Sequence, residues 1–164
     1  MEVTVVVEIP RGSRNKYEVD HRTGELWLDR MLFTSMQYPA DYGFLVDTLA
    51  EDGDPLDALV LIDEPTFPGC RIRARPVALF EMRDEAGPDS KVVCVPATDP
   101  RAGGLRDVGD LSPHLLEEIR HFFEVYKQLE PGKGTEVGGW AGAREAEALV
   151  SAALERHRHA QGPT

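Results

Sequence analysis

The chain of 164 residues is poor in the features that mark several large functional classes. It holds two cysteines, Cys70 and Cys94, and no CxxC, which excludes a disulfide framework and predicts two small buried thiols in a reduced compartment. No apolar run approaches the roughly 20 residues of a membrane span. The run Val3 to Val7 is interrupted by Thr4, stopped by Glu8 and preceded by no basic segment, so no signal peptide is expected. Positive charge is short: 18 Lys+Arg stand against 29 Asp+Glu, a formal net charge of −11. Nucleic acid and anionic membranes would repel such a chain, and aromatics, at 7%, are too few for a base-stacking platform. There is no internal repeat, no low-complexity block and no nucleotide-binding glycine motif. The expectation is a soluble, cytoplasmic protein of one domain over residues 1–164, with no nucleic-acid or membrane partner.

The hydrophobic and charged fractions, 41% and 29%, suit a globular core. Strand signals fill the first hundred residues. Val3, Val5, Val7 and Ile9 share one face of an extended segment, and Glu8 points the other way. Residues 16–30 alternate on both sides of His21-Arg22-Thr23-Gly24, which predicts a hairpin. Ala58 to Ile62 is a short continuous apolar run, the pattern of a strand buried on both faces. Residues 71–82 read as a long strand in which Pro76 requires an edge or a bulge, and Lys91 to Val95 as another.

Helix signals come late. Ser112-Pro113 is an N-cap with proline at the first helical position. Leu115, Leu116, Ile119, Phe122, Phe123, Tyr126 and Leu129 follow at helical spacing up to Pro131-Gly132. A second helix is predicted over about 143–158, with Ala146, Leu149, Val150, Ala153 and Leu154 on its apolar face, and the tail 161–164 reads as frayed. Strands first and helices last give an α+β fold, a small barrel or curled sheet flanked by two helices.

The most informative segment is Asp52-Gly53-Asp54-Pro55-Leu56-Asp57. Gly53 and Pro55 mark a turn, and the buried strand follows at once, so the three carboxylates sit on a short loop docked to the core. Carboxylates held this close repel one another unless protons or cations neutralise them. The segment is a solvated acidic turn or a site for a hard dication such as Mg²⁺ or Mn²⁺. An EF-hand is excluded, because loop position 5 would be Leu56 and the position-6 glycine would be Asp57. Asp84 and Asp89 flank a second loop, Glu85-Ala86-Gly87-Pro88, ahead of Lys91. Two such loops brought together could hold several dications, lower the pKa of a bound water and neutralise a phosphate substrate. Lys16, Arg30, Lys91 and Lys127 are then candidates for phosphate oxygens, with Tyr42 and Tyr126 as phenolic donors.

These residues carry a resemblance. Asp52-Gly53-Asp54-Pro55-Leu56-Asp57 is similar to the signature of the family I soluble inorganic pyrophosphatases. Glu8-Ile9-Pro10-Arg11-Gly12-Ser13-Arg14-Asn15-Lys16-Tyr17-Glu18 resembles the family's N-terminal segment, and Tyr38-Pro39-Ala40-Asp41-Tyr42-Gly43-Phe44 its central one. Asp84, Asp89 and Lys91 keep the family spacing, and His121 to Lys127 resembles its helix. The resemblance covers about residues 3–130 and implies a five-stranded OB-like barrel with helices, a Mg²⁺-dependent diphosphatase, and a homo-oligomer, with a hexamer favoured. Carried over by position, it implies metal ligation by Asp52, Asp57, Asp84 and Asp89, with Glu8 in support, and Mn²⁺ as a substitute ion. Asp54 would orient and deprotonate the attacking water, with Asp89 as the alternative proton acceptor. Lys16, Arg30, Tyr42, Tyr126 and Lys127 would hold the two phosphates of diphosphate, and Lys91 and Glu18 would line the site.

Overall fold

The computed structural model describes residues 1–162; Pro163 and Thr164, part of the tail read as frayed, lie outside the described residues. The elements run β1 (Val3–Ile9), β2 (Asn15–Val19), β3 (Leu26–Met31), β4 (Asp41–Leu45), β5 (Asp57–Val60), β6 (Arg71–Asp84), β7 (Gly87–Pro88), β8 (Lys91–Pro96), α1 (Pro113–Val125), β9 (Thr135–Gly142) and α2 (Ala143–Gln161). The sheet follows the order β1-β4-β5-β8-β6, and β6 pairs back onto β1, which closes a five-stranded OB-like barrel. β7 and β9 extend β6 beyond the ring, and β2 and β3 form a separate two-stranded ribbon.

β6 is the element that the others share. It pairs β1 through Arg71–Ala74, β8 through Ala74–Phe80 and β9 through Ala78–Asp84. Proline has no N–H for a ladder, and the register slips between Pro76 and Ala78. Pro76 therefore marks a bulge within a shared strand, not an edge.

The continuous apolar strands follow from having a helix on each side of the sheet. Leu59, Val93 and Val95 face one cluster with Ile119, Phe122 and Phe123 of α1. Ala58, Val60, Val92 and Cys94 face the other, with Ala146, Val150 and Ala153 of α2. β1 is buried on both faces, Val6 and Glu8 included. Burial lifts the Cys94 thiol to about 12, whereas Cys70 is half-exposed and so not the buried thiol expected.

Two sequence expectations shift at the ends of α1, and two strands were not anticipated. Ser112 sits at the N-cap, but its hydroxyl makes no capping bond. α1 stops at Val125, with the turns before Pro131-Gly132 outside it, and this leaves Leu129 exposed. β4 and β9 have no clear strand signature; β4 carries one glycine and β9 three, and pairing within the sheet overrides weak local preference.

Gly43 shows how closely the strands approach. A Cβ there would lie 1.8 Å from the carbonyl oxygen of Val6. Gly43→Ala must therefore displace β1 or β4. We expect a loss of about 3 kcal/mol or more, read from urea unfolding, and wild-type stability in that variant would contradict the packing described.

Candidate active site

One solvent-open cavity of about 670 Å³ lies at the end of the barrel. Glu8, Lys16, Glu18, Arg30, Tyr42, Asp52, Asp54, Asp57, Asp84, Asp89, Lys91, Tyr126 and Lys127 all line it. Chain segments more than 100 residues apart thus supply one wall.

Each side chain arrives by a definite route. The register of β1 against β4 jumps from Val7↔Gly43 to Ile9↔Tyr42, so Glu8 is the extra residue of a bulge. Its carboxylate accepts the Val19 N–H at 2.8 Å and ties the ribbon to the barrel. β5 and β8 pair in parallel with Asp57 beside Lys91. Asp89 is delivered by the turn after β6, where its N–H donates to the Met82 carbonyl at 2.9 Å. Thr48, buried, donates to the Leu45 carbonyl and accepts the Leu56 N–H, which pins both ends of the acidic loop. Within that loop the Asp54 N–H donates to Asp52 Oδ1 at 3.0 Å. Tyr126 caps α1, and its ring stacks on Phe122 at 5.1 Å.

Lys91 is the centre of the charge pattern. Its ammonium, 2% exposed, lies 2.7 Å from Asp57 Oδ2 and 2.8 Å from Asp89 Oδ1. It also donates to the Tyr42 hydroxyl at 2.9 Å, so all three of its donors are used. Burial works against its charge, but the two carboxylates outweigh burial and raise its pKa above the ordinary lysine value. One cation serves two acids. Burial would raise Asp57, but the adjacent Lys91 charge wins and holds it low. Asp89 is pushed up to about 6, first by burial and then by the Asp57 charge, against the pull of Lys91. Burial also lifts Glu8 to about 7 despite its bond from Val19. Asp54 is raised, by burial and then by Asp52.

Lys16, Lys127 and Arg30 are matched too. Lys16 Nζ is 3.0 Å from Asp29 Oδ2. Lys127 Nζ is 3.2 Å from Glu85 Oε2 and 3.9 Å from Asp84 Oδ2. Arg30 Nη2 donates to Glu130 Oε2 at 3.1 Å, and its Nε lies 2.8 Å from Oε1 with the N–H directed off that oxygen. Asp29, Glu85 and Glu130 are residues the sequence pattern did not single out. Asp29 adjoins Arg30 in the ribbon, but only folding brings Glu130, 100 positions away, to the same guanidinium.

Ten carboxylates and six Lys or Arg side chains line the cavity, an excess of four negative charges if all are ionised. No His or Cys lines it. Among the described residues no three such side chains are already gathered around a point that could hold an ion; the acids instead grip the lysines and arginine. The donor set is carboxylate oxygen throughout and carries surplus negative charge. These residues therefore suit hard dications such as Mg²⁺ or Mn²⁺ and offer nothing to softer ones.

Comparison with known proteins finds relatives that match nearly the whole chain. The inorganic pyrophosphatase family profile matches residues 5–158. The inorganic pyrophosphatase of Streptomyces coelicolor is 59% identical over 162 residues, covering 99% of each chain. That of Methanosarcina acetivorans is 55% identical over 154 residues, 94% of this chain and 91% of its own. The crystal structure of the Thermus thermophilus inorganic pyrophosphatase superposes with a TM-score of 0.93 at 47% identity, covering 96% of this chain and 91% of that one.

The triad around the buried Lys91 makes a direct prediction. Lys91→Met leaves Asp57 and Asp89 facing each other without a cation. In chelator at pH 8 the variant should lose about 3–5 kcal/mol of stability. With Lys91 gone both carboxyls titrate above their unfolded values, so the penalty is absent when they are protonated and grows as pH rises through those values. The deficit should thus be smaller at pH 4 than at pH 8, as read by urea unfolding. An equal deficit at both would count against the triad.

Proposed function

Because the chain belongs to the inorganic pyrophosphatase family, we propose that it hydrolyses inorganic diphosphate to two orthophosphates, with Mg²⁺ as the activating ion and Mn²⁺ as a substitute. The observation that carries this is the convergence of the acidic loops 52–57 and 84–89 with Lys16, Arg30, Lys91, Lys127, Tyr42 and Tyr126 in one cavity. Residues 1–164 form, in this proposal, a single pyrophosphatase domain working in the cytoplasm.

Asp52, Asp57, Asp84 and Asp89, with Glu8 in support, would hold the ions. Bound Mg²⁺ supplies charge neutralisation for the phosphates and brings the pKa of a bound water toward neutrality. The chain's own residues do the rest. Lys16 and Arg30 reach in from the ribbon, and Tyr126 and Lys127 from the end of α1, so the two phosphates are clamped between elements. Each cation would exchange its carboxylate partner for a phosphate oxygen, as Lys16 would release Asp29 and Lys127 would release Glu85. Tyr42 would donate its phenolic proton to a phosphate oxygen. Asp54, on the loop rim with its pKa raised, would take a proton as the water oxygen bonds to one phosphorus. The bridging oxygen leaves with the other phosphate, its charge met by the Lys and Arg set. Asp89 would be the alternative acceptor for that proton, in place of Asp54. Lys91 and Glu18 would line the cavity, and Lys91 would keep Asp57 ionised.

Asp54→Asn should lower kcat for diphosphate by about 10²–10⁴-fold while leaving thermal unfolding near wild type. Chelator should abolish phosphate release and Mg²⁺ restore it, and ATP should turn over far more slowly than diphosphate. Near-normal release by Asp54→Asn would contradict the base assignment. Turnover in metal-free buffer, or preference for ATP, would contradict the proposed reaction.

We further propose a homo-oligomer, with a hexamer favoured. It is supported by the apolar side chains that the ribbon and its exit leave in water: Trp27 at 60% exposure, with Leu28, Met31 and Phe33. Trp27→Glu combined with Phe33→Glu should lower the mass measured by light scattering, and a monomeric wild type would refute the proposal.

A further inference from the structure

The C-terminal helix α2 carries none of the residues assigned above, yet it grips the loop that holds Asp52 and Asp54. Both backbone polar groups of Leu49 are committed to it. The Leu49 N–H donates to the Ala153 carbonyl at 3.1 Å, and the Leu49 carbonyl accepts from Arg156 Nη1 at 2.6 Å, a bond spanning 107 positions. Arg156 is half-buried and lines the cavity beside Ala50 and Glu51. One residue further along, the Ala50 N–H donates to the Asp54 carbonyl at 2.7 Å, and the Ala50 carbonyl accepts the Gly53 N–H at 3.1 Å. A continuous series of short bonds therefore runs from Arg156 through Leu49 and Ala50 to the backbone of Asp54.

This contact differs from the rest of the α2 interface. Ala146, Val150 and Ala153 fill an apolar cluster against the sheet, which holds the helix in place, and the Ala153 carbonyl also accepts the Leu49 N–H. Arg156 supplies a charged donor to a loop carbonyl, which is stronger and more directional than a neutral bond. Asp54 itself is exposed, so no packing fixes it. Its position depends on the backbone beneath it.

We propose that Arg156 is a positioning residue for Asp54, holding the 49–54 turn at the height the reaction requires. This positioning role rests on the diphosphatase function proposed above. Misplacing a reacting group by about 1 Å costs up to about 100-fold in rate, so a loosened turn should act on kcat.

The test compares Arg156→Ala, Arg156→Lys and Val150→Ala as full chains, by thermal unfolding, by hydrogen exchange of the Leu49 and Ala50 amides, and by kcat and KM for diphosphate at saturating Mg²⁺. Arg156→Ala should exchange those two amides at least about tenfold faster and lower kcat by about 10–100-fold, with KM within about twofold. Arg156→Lys, which keeps a charged donor for Leu49, should recover most of both. Val150→Ala should lower the melting temperature and leave loop exchange and kcat near wild type. Unchanged exchange in Arg156→Ala, no rescue by lysine, or a kcat loss in Val150→Ala equal to that of Arg156→Ala would overturn the role. If the wild-type chain released no phosphate from diphosphate, the functional proposal would fail, and the exchange data alone would decide whether Arg156 holds the turn.

Discussion

The cavity depends on the buried ammonium of Lys91. It gathers Asp57 from β5, Asp89 from the turn before β8 and Tyr42 from β4, and each contact uses one of its three protons. The parallel pairing of β5 with β8 makes Asp57 its lateral neighbour. A slip of one residue in that register would turn Lys91 to the opposite face and leave two carboxylates buried together. The triad thus acts as a check on barrel register as well as a part of the cavity wall. Its incompleteness matters equally, since one positive charge cannot neutralise two acids, and the surplus is what suits the place to added cations.

Much of the site was legible in the sequence because its residues fall in short, dense motifs. Asp52-Gly53-Asp54-Pro55-Leu56-Asp57 is compressed by its own Gly and Pro, and Asp84, Asp89 and Lys91 flank a second tight turn. The ribbon was legible from alternation on both sides of a Gly-containing turn, and β5 from its continuous apolar run. Other features exist only after folding. Glu130 is a lone acid after a helix until it meets Arg30, and Arg156 is one of several charges on α2 until its tip meets Leu49. Glu8 alternates with Val7 and Ile9 in the sequence, and only the folded chain shows it buried, as the extra residue of the β1 bulge. β9 carries three glycines and little apolar signal, and it becomes a strand because β6 offers it a free edge. Local pattern therefore shows which chemistry is present, whereas long-range pairing decides which partner restrains it.

A second organising feature is that the cavity's central cations are matched before any ligand arrives. Lys16, Arg30, Lys91 and Lys127 each hold at least one carboxylate. Unpaired, these groups would repel one another across a small opening; paired, they are held in place and oriented. The carboxylates released on exchange remain close by, so the fold carries internal counter-ions that can return when a ligand leaves.

The ribbon β2–β3 stands outside the closed ring, and this has a thermal consequence. Its ties to the rest of the molecule include the Glu8 bond to Val19, the Arg30–Glu130 ion pair and the bond from the Tyr38 N–H to the Ser13 carbonyl. A two-stranded unit with an exposed apolar face opens at lower free energy than a barrel with every strand paired. Lys16 and Arg30 therefore ride on the element that loosens first as temperature rises. On warming, the grip on an anionic ligand should fade in a separate, earlier stage than the melting of the barrel, so that heat inactivation and heat denaturation of this chain are two events.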